Sequence, residues 1–317
     1  MEPTDIKSQS LEELKKTVEA LGEKPFRAKQ LYEWMHVKLA KSFEEMTNLS
    51  MTFRGKLQES CILTTLTALD VQTSKIDGTQ KYLFALHDGN VVESVLMRYK
   101  HGNSVCISSQ VGCKMGCRFC ASTIGGWTRN LTPAEMLEQV YRIQETSGER
   151  VSNVVVMGTG EPLDNYDTLL RFIHMISDEN GLHISQRNIT VSTCGLVPKM
   201  EALADEKLQI TLALSLHASS QEKREALMPI AKKYTITQVL NACRNYYEKT
   251  GRRITFEYAL VGGENDSQED ARRLAQLLKG LNCHVNLIPV NPIKERSYVR
   301  SDKKVIGNFQ NKLEKYQ

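Results

Sequence analysis

The chain has 317 residues, with 41 Lys and Arg against 37 Asp and Glu, and eight cysteines. Its 41% hydrophobic and 25% charged residues are the composition of a folded globular protein, which excludes a wholly disordered chain or a coiled coil. Its apolar runs fall short of the ~20 residues of a membrane helix, and Met1 to Ser10 carry no apolar core of a secretory signal.

Length suggests about two domains, or one α/β barrel with a smaller unit. Without a secretory signal, the cysteines point to thiolate or metal chemistry before disulfides, and the chain reads as cytoplasmic. Charge is uneven: residues 249–317 hold 13 Lys and Arg against 8 Asp and Glu, and the rest hold 28 against 29. A basic end suits a polyanionic partner or a solvated surface.

Residues 1–60 read as a helical unit. Leu11, Leu14, Val18 and Leu21 recur at helical spacing behind a capping box, Ser10 to Glu13. A second stripe runs Phe26, Leu31, Trp34, Met35, decorated by Lys29, Lys38, Lys41, Arg54 and Lys56. Residues 61–100 change to a period of two. Lys81–Leu86 and Val91–Met97 are strand-like, with Asp77-Gly78 and Asp88-Gly89 as turns, so a short antiparallel meander is expected.

Residues 101–317 alternate strand and helix. Strands are expected at Ser104–Ser108, Val151–Met157, Asn188–Ser192, Gln209–Leu216, Arg253–Leu260 and His284–Pro289. Helices fall near 132–147, 164–178, 197–206, 222–227 with 235–249, 267–280 and 305–316, and cap signals stand at Thr132-Pro133-Ala134-Glu135, Thr235 to Gln238 and Ser267 to Asp270. Six βα units imply a parallel sheet with ligands at the strands' C-terminal ends. An open (β/α)6 partial barrel is the first expectation, a flat doubly wound sheet the second.

Cys113-Lys-Met-Gly-Cys117-Arg-Phe-Cys120 follows the first of these strands, in a loop with Gly112 and Gly116. A loop can turn three thiols onto one centre. Three thiolates suit zinc or an iron–sulfur cluster, and the absence of a nearby fourth ligand favours a cluster with one open iron. Val154-Val-Val-Met-Gly158-Thr-Gly160-Glu161-Pro162 is a buried strand that breaks into a glycine turn beside a carboxylate, a setting that suits an ammonium group. Ser192 and Ser215-Leu216-His217 end the third and fourth strands, and Asn291 follows the sixth. Cys106 lies in the first strand, where a lone cysteine is ordinarily a small buried hydrophobe, and Glu93 lies in the alternating strand before it. Cys61, Cys194, Cys243 and Cys283 read as structural.

The Cys-x3-Cys-x2-Cys loop opening a βα array resembles the radical S-adenosylmethionine (SAM) superfamily. Phe26-Arg-Ala-Lys-Gln-Leu, Cys106-Ile-Ser-Ser-Gln-Val-Gly-Cys113, Val156-Met-Gly-Thr-Gly-Glu-Pro-Leu163, Ser215-Leu-His217 and Asn286-Leu-Ile-Pro are similar to the RlmN branch of its RNA methyltransferases. The resemblance implies a [4Fe-4S] cluster on Cys113, Cys117 and Cys120, and SAM held by Gly160, Glu161, Ser192, Ser215, Leu216, His217 and Asn291. It implies methylation of adenosine C2 in 23S rRNA and tRNA through a methyl-cysteine. Glu93 would be the base, and Cys106 the thiol that resolves the protein–RNA link through a disulfide. An electron donor such as flavodoxin and a monomeric state complete the expectation.

The resemblance also implies a methyl-carrying cysteine in a C-terminal tail. The last cysteine in the sequence is Cys283, at the entry to the sixth strand. The expectation is therefore a truncated form that binds cluster and SAM and is impaired in methylation. Competing readings are a Cfr-like adenine C8 methyltransferase, a radical SAM enzyme on a small molecule, and a non-catalytic zinc or RNA-binding module.

Overall fold

The computed structural model describes residues 4–316; Met1, Glu2, Pro3 and Gln317, counted above into the first and last segments, lie outside the described residues. The chain divides into two compact units. The first takes the chain up to Val111 together with Asn130–Gly158 and Asn165–Ile189; the second takes Gly112–Arg129, Thr159–Asp164 and the chain from Thr190 on.

In the first unit, β1 (Thr4–Asp5) later pairs in parallel with β2 (Cys61–Ile62), and between them run α1 (Leu11–Ala20), α2 (Phe26–His36) and α3 (Met51–Ser60). The expected box starts α1: Ser10 Oγ accepts from Glu13 N at 3.3 Å, and the Glu13 carboxylate accepts from Ser10 N at 2.8 Å. α2 buries Leu31 and Met35, but Phe26 is 56% exposed and does not join their stripe. It is the first residue of the helix, where little packs above it. α3 was not anticipated, because Gly55 interrupts it and only Phe53 and Leu57 are buried.

A buried polar network underlies this segment. Lys7 is fully buried, with Nζ 2.7 Å from Glu138 Oε1, and Glu138 Oε2 accepts from Leu66 N at 3.1 Å. His36, also fully buried, meets the Tyr141 hydroxyl through Nδ1 at 2.8 Å.

The meander is β3 (Thr67–Thr73), β4 (Gln80–Ala85), β5 (Val91–Tyr99) and β6 (Gly102–Ile107), antiparallel throughout. The two Asp-Gly turns form as expected, with φ of +71° at Gly78 and +82° at Gly89. β3 is the strand the sequence does not announce: all seven residues are exposed, and Leu69 and Val71 are its only large apolar residues. The ribbon strands β7 (Gln110–Gly112) and β8 (Trp127–Asn130) come next, then α4 (Pro133–Ser147), β9 (Val151–Val156) and α5 (Tyr166–Ser177). β9 pairs in parallel with β6. Thr132 and Glu135 cap α4 reciprocally, with Pro133 at its first position and Gly148 closing it at φ +67°. Ser94 on β5 donates to Gln139 Oε1 of α4 at 2.8 Å, so that face of the sheet is covered by the helix.

The second unit holds β10 (Ile189–Thr193), α6 (Val197–Asp205), β11 (Thr211–Ser215), α7 (Gln221–Leu227), α8 (Ile236–Thr250), β12 (Ile254–Leu260), α9 (Gln268–Leu278), β13 (Cys283–Pro289) and α10 (Lys303–Glu314). β10 to β13 pair in sequence order, all parallel. The Thr235–Gln238 and Ser267–Asp270 boxes both form. With β6 and β9, these are the six strands the alternating pattern predicts. Among the described residues, no helix is long and apolar enough to cross a membrane.

His36 makes acid stability testable. Burial, and secondarily Lys7, lowers its pKa from 6.5 to about 3. The folded chain therefore keeps His36 neutral where the unfolded chain protonates it. The stability this provides is present above pH 6.5 and is lost as pH falls from 6.5 toward 3, at up to about 1.4 kcal/mol per pH unit. Urea titrations of wild type and His36→Asn across this range should show a shallower acid slope in the variant.

Candidate active site

The cysteine loop is closed at its base by main chain. Cys113 N donates to Gly126 O at 2.8 Å, and a Cβ on Gly112 would lie 2.0 Å from that same oxygen. Gly112 has φ +73°, so both conformation and space demand glycine. Inside the loop, Cys120 N donates to Cys117 O at 3.1 Å, and Thr123 Oγ1 donates to the carbonyls of Cys117 (3.2 Å) and Cys120 (2.9 Å). Lys114 is paired with Asp164 at 2.8 Å. The loop rests on the end of α7: Arg118 N donates to Leu227 O at 2.9 Å, and Cys117 and Phe119 pack against Leu227, Met228 and Cys194.

Burial, with a smaller push from Cys120, raises the Cys113 thiol to about 11 and the Cys117 thiol to about 12. Among the described residues, no three His, Cys, Asp or Glu side chains are gathered to hold a single metal ion. A four-iron cluster seats each thiolate on a different iron, so its ligands stand wider apart than those sharing one ion. Three half-buried to buried thiols on one closed loop are the donor set such a cluster takes, and its cationic irons would hold them as thiolates.

Glu161 is buried. Its Oε2 accepts from Cys194 N at 2.8 Å and Oε1 from Leu163 N at 3.1 Å, while desolvation raises its pKa. Gly160, half-buried at φ +109°, makes the turn that delivers it.

Parallel register aligns a polar row on one face of the second unit's sheet. Ser192 pairs with Ala213, two residues before Ser215; Ser215 pairs with Glu257, and Glu257 with Asn286. The two serine hydroxyls are 3.4 Å apart, and Asn286 Nδ2 donates to Glu257 Oε2 at 2.8 Å. Leu216 is buried, and its N–H and that of His217 both donate to Glu257 O.

His217 adopts φ +54°, and its Nδ1 accepts from Ala259 N at 2.9 Å. Burial, then Arg224, lowers its pKa to about 3, so the ring is neutral with the proton on Nε2. Phe119 meets it edge-on at 4.8 Å between centroids. Asn291 is exposed in the segment after β13.

Glu93 and Cys106 belong to the first unit. Cys106 pairs with Val95, so Glu93 and Cys106 lie on the same face of adjacent strands as diagonal neighbours, opposite the α4 side. Burial pushes the Cys106 thiol up to about 11. Glu93 accepts from Lys81 Nζ at 3.0 Å on an exposed surface. Cys61, Cys194 and Cys243 are buried, and Cys283 is half-buried in β13.

Sequence reading missed Glu257, Asn265 and Arg224. Asn265 is fully buried and donates through Nδ2 to the carbonyls of His217 and Ala259, both at 2.7 Å. An Asn in a Gly-Gly-Glu-Asn-Asp stretch reads as an ordinary turn, and an Arg in a short charged helix as solvated. Only the alternation within β12 could have hinted that Glu257 shares a face with Thr255.

The chain can now be set beside known proteins. The radical SAM superfamily pattern matches residues 107–275, and the pattern of the ribosomal RNA large subunit methyltransferase N-terminal domain matches residues 4–63. A crystal structure of a radical SAM methyltransferase from Sphaerobacter thermophilus superposes with a TM-score of 0.95 at 42% identity, covering 99% of this chain and 93% of that one. The fold is thus the α/β partial barrel of the radical SAM enzymes, whose cofactors are a [4Fe-4S] cluster and SAM. A probable dual-specificity RNA methyltransferase RlmN of Lachnoclostridium phytofermentans is 65% identical, over 99% of this chain and 88% of its own length. One of the same description from Clostridium perfringens strain 13 is 54% identical, over 97% and 88%. The chain belongs to the RlmN family of radical SAM RNA methyltransferases.

Gly112→Ala should lose about 2 kcal/mol or more in urea denaturation, since it combines left-handed strain with a backbone clash. Gly125→Ala is the control, because nothing lies within 4 Å of its added Cβ; it should stay close to wild type.

Proposed function

We propose that this chain holds the cluster, SAM, base and resolving thiol for methylation of C2 of adenosine in 23S rRNA and in tRNA through a methyl-cysteine, and that it is impaired in that methylation because none of its eight cysteines is left to carry the methyl group. The observation that carries the reading is the diagonal placement of a thiol and a carboxylate, Cys106 and Glu93, on one sheet face, in a chain that also has the three-thiol loop. Adenine C2 is an electron-poor carbon bearing hydrogen and no lone pair, so polar methyl transfer fails there and a carbon radical is needed. When bound, the cluster and SAM supply that radical chemistry.

Cys113, Cys117 and Cys120 hold the cluster. Glu161 takes the ammonium of SAM: it is a buried carboxylate delivered by the Gly160 turn, and an opposite charge is what such a group gains most from. An approaching cation also relieves its desolvation. Gly160 exposes main chain to the same group. Ser192, Ser215 and Leu216 line the polar row. His217, neutral with Nε2–H, is a donor whose protonation does not change near neutral pH, and Asn291 closes the rim. Glu93 accepts the C2 proton. Its exposed pairing with Lys81 contributes at most ~1 kcal/mol and yields readily. Cys106, kept protonated by burial, is the thiol that would break the protein–RNA link: an S–S bond to the methyl-carrying cysteine would form as that cysteine's C–S bond breaks, its electrons and the thiol proton passing to the adenine-bound carbon.

The domain arrangement we propose is 1–60 and the basic segment around Lys294, Arg296, Arg300, Lys303 and Lys304 on RNA phosphates, 61–100 as the meander, and 101–317 as the barrel. We propose a monomer in the cytoplasm that draws electrons from a donor such as flavodoxin.

Nucleoside mass spectrometry of RNA treated with the reconstituted chain tests the reading directly: SAM cleavage with little or no methylated adenosine is expected, 2-methyladenosine in stoichiometric yield would require another methyl carrier, and 8-methyladenosine would assign it to the C8 chemistry instead. Alanine at Cys113, Cys117 or Cys120 should abolish iron loading and SAM cleavage; full cleavage by any one of them overturns the cluster assignment. Cys106→Ala should retain cluster and SAM cleavage and, in a complete enzyme that carries the methyl-accepting cysteine, leave RNA covalently attached to protein, seen as a shifted band on a denaturing gel. Continued methylation without that band would make Cys106 structural.

A further inference from the structure

Arg224 is fully buried, and among the described residues it forms no ion pair with a carboxylate. Its guanidinium meets carbonyls only: Nη2 donates to Cys194 O at 2.7 Å and to Ser215 O at 3.3 Å, Nη1 to Tyr234 O at 3.5 Å, and Nε has no hydrogen-bond partner. A desolvated cation is costly unless an anion answers it. Glu161 does not: it takes the N–H of Cys194 while Arg224 takes the carbonyl.

Arg224 sits one turn before Leu227 on α7, and Leu227 O is where the cysteine loop is anchored, by Arg118 N at 2.9 Å. On the next residues, Pro229 Cγ lies 3.5 Å from the Cβ position of Gly116. Cys117 packs on the Leu227 and Met228 cluster. Cys194, Cys117 and Cys243 are the thiols near enough to Arg224 to interact with it once ionised.

We propose that Arg224 is the internal counter-charge of the cluster, a buried guanidinium fixed beneath the cysteine loop that raises the reduction potential of a cluster held by Cys113, Cys117 and Cys120. This rests on the cluster assignment above. Three thiolates make the cluster site anionic, and one-electron reduction makes it more so. A fixed cation nearby stabilises the reduced form more than the oxidised one. Low dielectric keeps the effect large, and the carbonyl bonds keep the guanidinium from turning away. Two of the buried charges of the second unit then have separate tasks: Glu161 answers the ammonium of SAM, and Arg224 answers the cluster.

The test is an EPR-monitored redox titration of reconstituted wild type, Arg224→Lys, Arg224→Gln and Arg224→Met, without SAM, with circular dichroism and iron content measured on each. Gln and Met should lower the potential, so that the reduced fraction at a fixed solution potential falls roughly tenfold, about 59 mV for one electron. Lys should recover most of it. SAM affinity, measured by equilibrium dialysis, should change little. Unchanged potentials in Gln and Met, a Lys variant as low as Met, weakened SAM binding at wild-type potential, or misfolding of all three variants would each overturn the proposal. If wild type itself shows no cluster signal, the cluster assignment fails instead, which separates the two.

Discussion

The peptide of Cys194 is gripped from both ends. A buried carboxylate holds its N–H, and a buried guanidinium holds its carbonyl. Through this one residue, the Gly158–Pro162 turn, the end of β10 and helix α7 are fixed relative to one another. α7 in turn carries the anchor of the cysteine loop. Each charge is expensive to bury, and each would be cheaper as a neutral side chain. Their persistence together marks the place where the fold gives up stability to set up electrostatics.

Much of this was legible in the sequence, and the reason is local. Ser10, Thr132, Thr235 and Ser267 with their partners three residues on specify helix starts by hydrogen bonds that need no tertiary context, and all four form. The six βα strands follow from their apolar runs. The thiol loop and the Gly-Thr-Gly-Glu turn are short-range patterns too. What stayed hidden depends on burial from elsewhere. Arg224 looks solvated until the cysteine loop and β11 enclose it. Phe26 looks like core until its place at the start of α2 leaves it uncovered. β3, exposed along its length, has only its pairing with β4 to define it.

The histidines show the same logic in their chemistry. His36 and His217 are both driven to about 3 by burial, assisted by a neighbouring cation. Neither can act as a switch in the physiological range. Burial has converted them into fixed hydrogen-bonding groups, with His217 locked in one tautomer by the Ala259 amide.

The base of the cysteine loop has a consequence for the order of events in the life of the protein. Gly112, Cys113 and Gly126 close it with main-chain contacts alone. The entropy of bringing its ends together is therefore met during folding, before any iron arrives. In small zinc modules metal binding is itself the folding step. Here the ends of the loop are joined by the polypeptide's own hydrogen bond, so its closure is a property of the chain and not of the inorganic part.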